Sequence, residues 1–84
     1  MNLHLGGHLS FYEPQRRAWI ELALTAPQRL DELLVGLGIP AGEVALVVIN
    51  GSLAQEEIPV VSDEDKVELY PPMGGGRISP TELL

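Results

Sequence analysis

The hydrophobic period of this chain switches from two to about three and a half and back to two, which excludes an all-α and an all-β fold together. Leu3, Leu5, Leu9 and Phe11 alternate with Asn2, His4, His8, Ser10 and Tyr12, and Gly7 fills an apolar slot. Alternation of this kind marks a strand with one apolar face. After the turn Glu13-Pro14-Gln15, a second run sets Ala18, Ile20, Leu22 and Leu24 against Arg17, Trp19, Glu21 and Ala23. The two runs read as an antiparallel hairpin. Leu30, Leu33, Leu34 and Leu37 then fall at i, i+3, i+4 and i+7, one stripe of an amphipathic helix. Thr25 with Gln28 suggests a capping box, Pro27 suits the first turn, and Gly38 with Pro40 beyond it marks the end. Asp31 and Glu32 sit where the helix dipole favours negative charge.

Residues 44–49 are apolar throughout and rich in β-branched side chains, as suits a strand that is central or covered on both sides. Asn50-Gly51 is a turn signal, with a short strand expected near residues 52–55. Residues 56–65 read as a connecting loop that ends in the polar turn Ser62-Asp63-Glu64-Asp65. Lys66 to Tyr70 is the last strand, read as edge-facing, with Val67 and Leu69 inward. The order β-β-α-β-(β)-β describes an α+β layer fold, a mixed four- to five-stranded sheet packed on one main helix, with room for one parallel pairing. It is the order of a β-grasp. The expected organisation is a β-grasp domain over residues 1–73 and a flexible glycine-rich tail over residues 74–84.

Composition narrows the function classes. Eighty-four residues make one domain with a modest core, and 45% apolar content suits a globular chain. A net charge of −7, from one lysine and four arginines against twelve acids, argues against nucleic acid and favours a basic protein surface as partner. The absence of cysteine removes disulfides and thiolate chemistry and fits a reducing cytoplasm. No apolar run has the length of about 18 residues that a membrane helix needs, and no leader pattern precedes the first strand.

Tyr70-Pro71-Pro72-Met73-Gly74-Gly75-Gly76 carries the chemistry. The proline pair stiffens the point where the chain leaves the last strand, and the glycines make an extended backbone that can thread a narrow channel. Together with the helix over residues 30–37, Val47-Val48-Ile49-Asn50-Gly51, Phe11 and the aspartate turn, this stretch resembles the ubiquitin-like sulfur-carrier family. That family includes the small subunit of molybdopterin synthase and the thiamine-biosynthesis sulfur carrier. The resemblance covers residues 3 to 76.

It implies a non-enzymatic carrier without a bound cofactor. Its terminal glycine carboxylate is adenylated by an E1-like ATP-dependent enzyme, converted to a thiocarboxylate, and used by a sulfur-accepting synthase subunit in molybdopterin, tungstopterin or thiamine biosynthesis. The reactive glycine maps onto Gly76, preceded by Gly75, with Pro71, Pro72, Met73 and Gly74 positioning the tail. Here the chain departs from the family, because Gly76 is followed by Arg77 and seven further residues, so its carbonyl is an amide. Three readings stay open. A protease cuts between Gly76 and Arg77, or the tail is retained in a β-grasp interaction module that carries no sulfur, or the chain's native start or end differs.

The other residues with chemical potential are plainer. His4 and His8, on one strand face, would stand roughly 13 Å apart, too far to share a metal, and read as exposed and unpaired. No serine has a histidine and carboxylate arrangement that spacing justifies, and Asp63-Glu64-Asp65 reads as a solvated turn without calcium-loop spacing. Tyr12, Trp19, Tyr70 and Arg17, together with His4, His8 and Glu68, point away from the helix and make a candidate partner-binding face.

Overall fold

A computed structural model describes residues 1–72. Its sheet is built around the first and last strands. β1 (Asn2–Leu5) pairs antiparallel with β2 (Trp19–Glu21) and parallel with β7 (Lys66–Tyr70). On the other side of β7 lies antiparallel β4 (Leu46–Ile49), and β5 (Ser52–Leu53) closes the order β2-β1-β7-β4-β5. A second, two-stranded ribbon joins β3 (Gln28–Arg29) to β6 (Val60–Val61). The helix α1 (Leu30–Leu37) covers one sheet face, and this mixed sheet with one helix is the ubiquitin-like α+β fold.

The core follows from the two periods. Leu3, Leu5, Val67 and Leu69 from the central strands, Ile20 from β2 and Leu30, Leu33 and Leu34 from α1 form one buried cluster with Leu9, Ile39 and Val61. Leu3, Leu5, Leu9, Val61, Val67 and Leu69 are the fully buried side chains, so the parallel β1–β7 pair is the spine of the protein. Gly38 ends α1 in the left-handed conformation at φ 77°. Its N–H and that of Ile39 bond to the Val35 and Leu34 carbonyls at 3.1 and 3.0 Å, and Ile39 packs into the core beside Leu34. Asn50 and Gly51 both have positive φ, the turn that matches the twist of the β4–β5 hairpin.

Several expectations are corrected. β7 is the central strand rather than an edge, because β1 takes its parallel side and β4 its other side. The first strand stops at Leu5, and residues Gly7–Tyr12 form a 3₁₀ helix entered through Gly7 at φ 54°. Leu9 still reaches the core, but Phe11 is 66% exposed. The alternating pattern over residues 6–11 survives there only because glycine is neutral in it.

The capping box on Thr25 does not form. Gln28 and Arg29 pair instead with β6, so the helix cannot open before Leu30, whose N–H bonds to the Pro59 carbonyl at 2.9 Å. The apolar run at residues 44–49 is not covered on both faces: Leu46 is 47% exposed, and only β5 lies outside β4.

The aspartate turn leaves Asp63 and Glu64 exposed, as expected, while Asp63 and Asp65 also bind neighbouring segments. Asp63 accepts the Leu24 N–H at 2.8 Å. Asp65 accepts the Ser62 N–H at 2.8 Å and the Asn50 amide at 2.9 Å, while Asn50 accepts the Lys66 N–H at 2.9 Å. This clamp ties the β4–β5 turn to the start of β7. No helix among the described residues is long and apolar enough to cross a membrane.

Candidate functional site: the outer sheet face and the root of the tail

Strand register decides which side chains share the face opposite α1. His4 lies across from Trp19 on one side and Glu68 on the other; Tyr70 faces Leu46, and Val48 bridges Glu68 and Leu53. The His4 ring sits 4.6 Å from the Trp19 ring and 5.7 Å, edge-on, from that of Tyr70. Lys66 places its ammonium over Trp19 at 5.5 Å and 3.6 Å from a Glu68 oxygen. Tyr70 donates its hydroxyl to Glu68 at 2.6 Å. That bond holds the Glu68 carboxyl below its ordinary pKa and raises the Tyr70 phenol above its own.

A row of aromatic rings thus runs into an aliphatic strip, Leu46, Val48 and Leu53. Trp19, Leu46 and Leu53 each leave about half their surface to solvent. Apolar patches rimmed by a few charges are what partner-binding faces consist of. The His4 Nδ1 is buried without a hydrogen-bond partner among the described residues.

The end of the same face holds the root of the tail. The Leu69 carbonyl accepts the Gly6 N–H and the Tyr70 carbonyl accepts the Ala45 N–H, both at 2.8 Å, so β7 is gripped from both sides to its last residue. Gly6 and Gly7 form a seat. A Cβ on Gly6 would meet the Tyr70 ring at 2.7 Å and the Leu69 carbonyl oxygen at 2.9 Å, and one on Gly7 would meet the Pro71 ring at 2.8 Å. Only glycine permits the ring and the proline to lie down there. Pro71 is therefore placed by the Gly6-Gly7 link that follows β1 as well as by β7. Met73, Gly74, Gly75, Gly76 and Arg77 lie outside the described residues.

The expected face is partly regrouped. Trp19 and Tyr70 are brought together, with His4 between them. Tyr12 and Arg17 are not: they line a cleft of about 250 Å³ on the helix side, with Leu5, Ile20, Leu37 and Ile39. The cause is the 3₁₀ helix, which carries Tyr12 off the sheet, and Glu13, which captures Arg17.

His4 is half-buried and stacked rather than exposed, and His8 bonds to Glu43 at 2.8 Å rather than standing alone. Leu46, Val48 and Leu53 were missed as face residues. The alternation of Leu46 and Val48 with Val47 and Ile49 is hidden in a run where every residue is apolar, and Leu53 lies on a two-residue strand too short to show a period. Among the described residues, no three His, Asp or Glu side chains come together as metal ligands would.

Glu13 is a nearly buried carboxylate, 8% exposed. It accepts the Arg17 guanidinium at 2.9 Å, the Arg17 N–H at 2.7 Å and the Gln15 N–H at 3.1 Å. The Arg17 side-chain bond is the main reason that its pKa falls to about 2 from an ordinary 4.5. A carboxyl whose folded pKa lies below its unfolded value stabilises the fold above the unfolded value and loses that contribution as pH falls. Stability should therefore decline from about pH 4.5 toward pH 2, and the decline should be shallower in Glu13→Gln, as urea titrations across that range would show. The same slope in both proteins would remove Glu13 as a cause of the acid sensitivity.

The family model described as Mut7-C ubiquitin matches residues 5–74, from the last residue of β1 to the first glycine of the tail. No curated protein matches the chain.

Proposed function

The chain belongs to the Mut7-C ubiquitin family, and from that premise we propose that it is a ubiquitin-like carrier rather than a catalyst. In this reading it docks through its outer sheet face and presents its glycine tail to a partner's active site. The observation that carries the proposal is the joining of two features at Tyr70. The residue that anchors the aromatic row of the face is the one immediately before Pro71, and Gly6 and Gly7 hold both in place.

A partner bound to His4, Trp19 and Leu46 would thus receive the tail at a fixed point of departure. The proline pair lowers the ordering cost on docking, because fewer backbone states remain to be lost. Gly75 and Gly76, without Cβ atoms, suit a narrow tunnel.

The finer reading is a sulfur carrier in a reducing cytoplasm. Residues 77–84 are removed, Gly76 is adenylated by an E1-like enzyme and becomes a thiocarboxylate, and a synthase subunit of molybdopterin or thiamine biosynthesis accepts the sulfur. Intact mass of the protein isolated from its native host tests this directly. A species ending at Gly76, with sulfur in place of one carboxylate oxygen, is the expected result. Gly76→Ala should cut activation on the order of 100-fold, since a small misplacement of a reacting group costs that much, while leaving the thermal midpoint unchanged.

A second reading is favoured by one observation: Gly76 is followed by Arg77, so its carbonyl is an amide. On that reading the module keeps its tail and binds a partner without carrying sulfur. Full-length mass alone, with full activity of Gly76→Ala, would decide for it.

A further inference from the structure

A groove beside the β4–β5 hairpin opens close to the point where the chain leaves its last strand. β5 pairs with Val48 and Ile49, and the Ala54 N–H takes the Val47 carbonyl at 2.8 Å. Among the described residues, no strand lies beyond Ala45 and Leu46. A cleft of about 270 Å³ occupies that gap, walled by Val44, Leu46, Val47 and Leu53 with Glu56 and Glu57. It runs into a wider one of about 510 Å³, since Leu53 and Pro59 line both, and Ile58 and Val60 extend the apolar wall. Leu46, Leu53, Ile58 and Val60 each leave about half their surface to solvent.

Charge and reach choose the occupant. Glu56 and Glu57 have no cation partner among the described residues. Arg17, Arg29 and Lys66 are paired with Glu13, Asp31 and Glu68, and Arg16 lies over the Phe11 ring. Of the chain's five cations that leaves Arg77, followed at once by Ile78 and further on by Leu83 and Leu84. A basic residue leading a run with apolar side chains matches a groove with two unpaired acids on an apolar wall.

The distances allow it. Leu46 pairs with Tyr70, so the groove begins one strand from the root of the tail. Two strand spacings, about 10 Å, separate β7 from β5. The seven residue steps from Tyr70 to Arg77 can span roughly 23 Å. A segment tethered through a short glycine linker acts at an effective concentration on the order of a millimolar, so weak contacts suffice to seat it.

We infer that residues 77–84 dock in this groove of their own chain, Arg77 against Glu56 and Glu57 and Ile78 against Leu46 and Leu53. The uncut chain then covers the aliphatic strip of its own docking face, and removal of residues 77–84 uncovers it. That regulatory meaning rests on the carrier reading; the docked segment itself does not.

The chain has no cysteine, so Thr81→Cys gives the full chain one attachment point for a nitroxide spin label. In amide NMR the label should broaden Leu53, Ala54 and Ile58 most and leave Glu21, on the opposite edge of the sheet, sharp. Arg77→Glu should cut that broadening roughly threefold, the worth of one exposed ion pair, and adding Glu56→Lys with Glu57→Lys should restore it. Recovery by the reversed charges is a result that simple loss of folding cannot give. Should the reversed variant not fold, the spin-labelled chain with Arg77 intact is compared at low and high salt, where the broadening should fall as salt rises.

Broadening that fades evenly outward from Tyr70, or that neither charge reversal nor salt moves, would overturn the inference. So would equal broadening when label and isotope are on different chains, because the groove would then hold a second copy. The measurement needs neither a partner nor a cut, so its failure leaves sulfur carriage standing. A chain that keeps residues 77–84 in its host, with full activity of Gly76→Ala, instead removes carriage and leaves the docked segment in place.

Discussion

Gly6→Ala lowers stability by about 3 kcal/mol, which for a domain of this size is a fall of roughly 15 °C in Tm. The added Cβ has no room. It would stand 2.7 Å from the Tyr70 ring and 2.9 Å from the Leu69 carbonyl oxygen, the oxygen that accepts the Gly6 N–H. Backbone cannot yield there without breaking the parallel β1–β7 pairing, so the ring must swing out. That motion removes Tyr70 from His4 and lifts Pro71 from its seat. Thermal unfolding should show the loss, and partner binding should weaken beyond what the unfolded fraction explains. Gly36→Ala is the matched control. It has open space, lies within α1, and should gain up to about 1 kcal/mol. Equal midpoints for the Gly6 and Gly36 variants would sink the account of the tail root.

The second large effect separates core from face within one strand pair. Leu69→Ala should cost about 3 kcal/mol, because Leu69 is fully buried at the centre of the sheet and its removal leaves a cavity. Leu46, on the adjoining β4, faces Tyr70 from the outer side and is 47% exposed. Leu46→Ala should change stability by less than about 0.5 kcal/mol and still weaken capture of the docking partner. Chemical denaturation and a partner-binding titration on the same two variants make the comparison. A Leu46→Ala protein that binds like wild type would take the aliphatic strip out of the docking face.

Much of the fold was legible because hydrophobic period reports which face of an element is dry. The stripe of Leu30, Leu33, Leu34 and Leu37 marks α1 to its last residue, with Gly38 as its stop. Val67 and Leu69 point inward as their alternation requires, and Asn50-Gly51 turns where it should. The misreadings have equally local causes. Gly6 and Gly7 fit any period, so the alternation ran through a bend and made a strand of a 3₁₀ helix. A run in which every residue is apolar, residues 44–49, carries no phase, so Leu46 and Val48 could not be assigned to the outer face.

The candidate site was half legible for the same reason. Trp19 and Tyr70 sit on true strands and kept their assigned side; Tyr12 and Arg17 sit on the bend and did not. Period and turn chemistry determine by themselves that this chain makes two paired strands, a helix and a final strand that stops at Tyr70, before Pro71-Pro72 and the glycines. Only the tertiary structure decided that the final strand is central, that Gly6 and Gly7 from the first strand's end seat Tyr70 and Pro71, and that the groove at the β4–β5 edge opens one strand from the tail root. Those are facts about neighbours distant in sequence. A residue's own period reports that it is buried but not by what, and the partners in a sheet are chosen by register and packing across the whole chain.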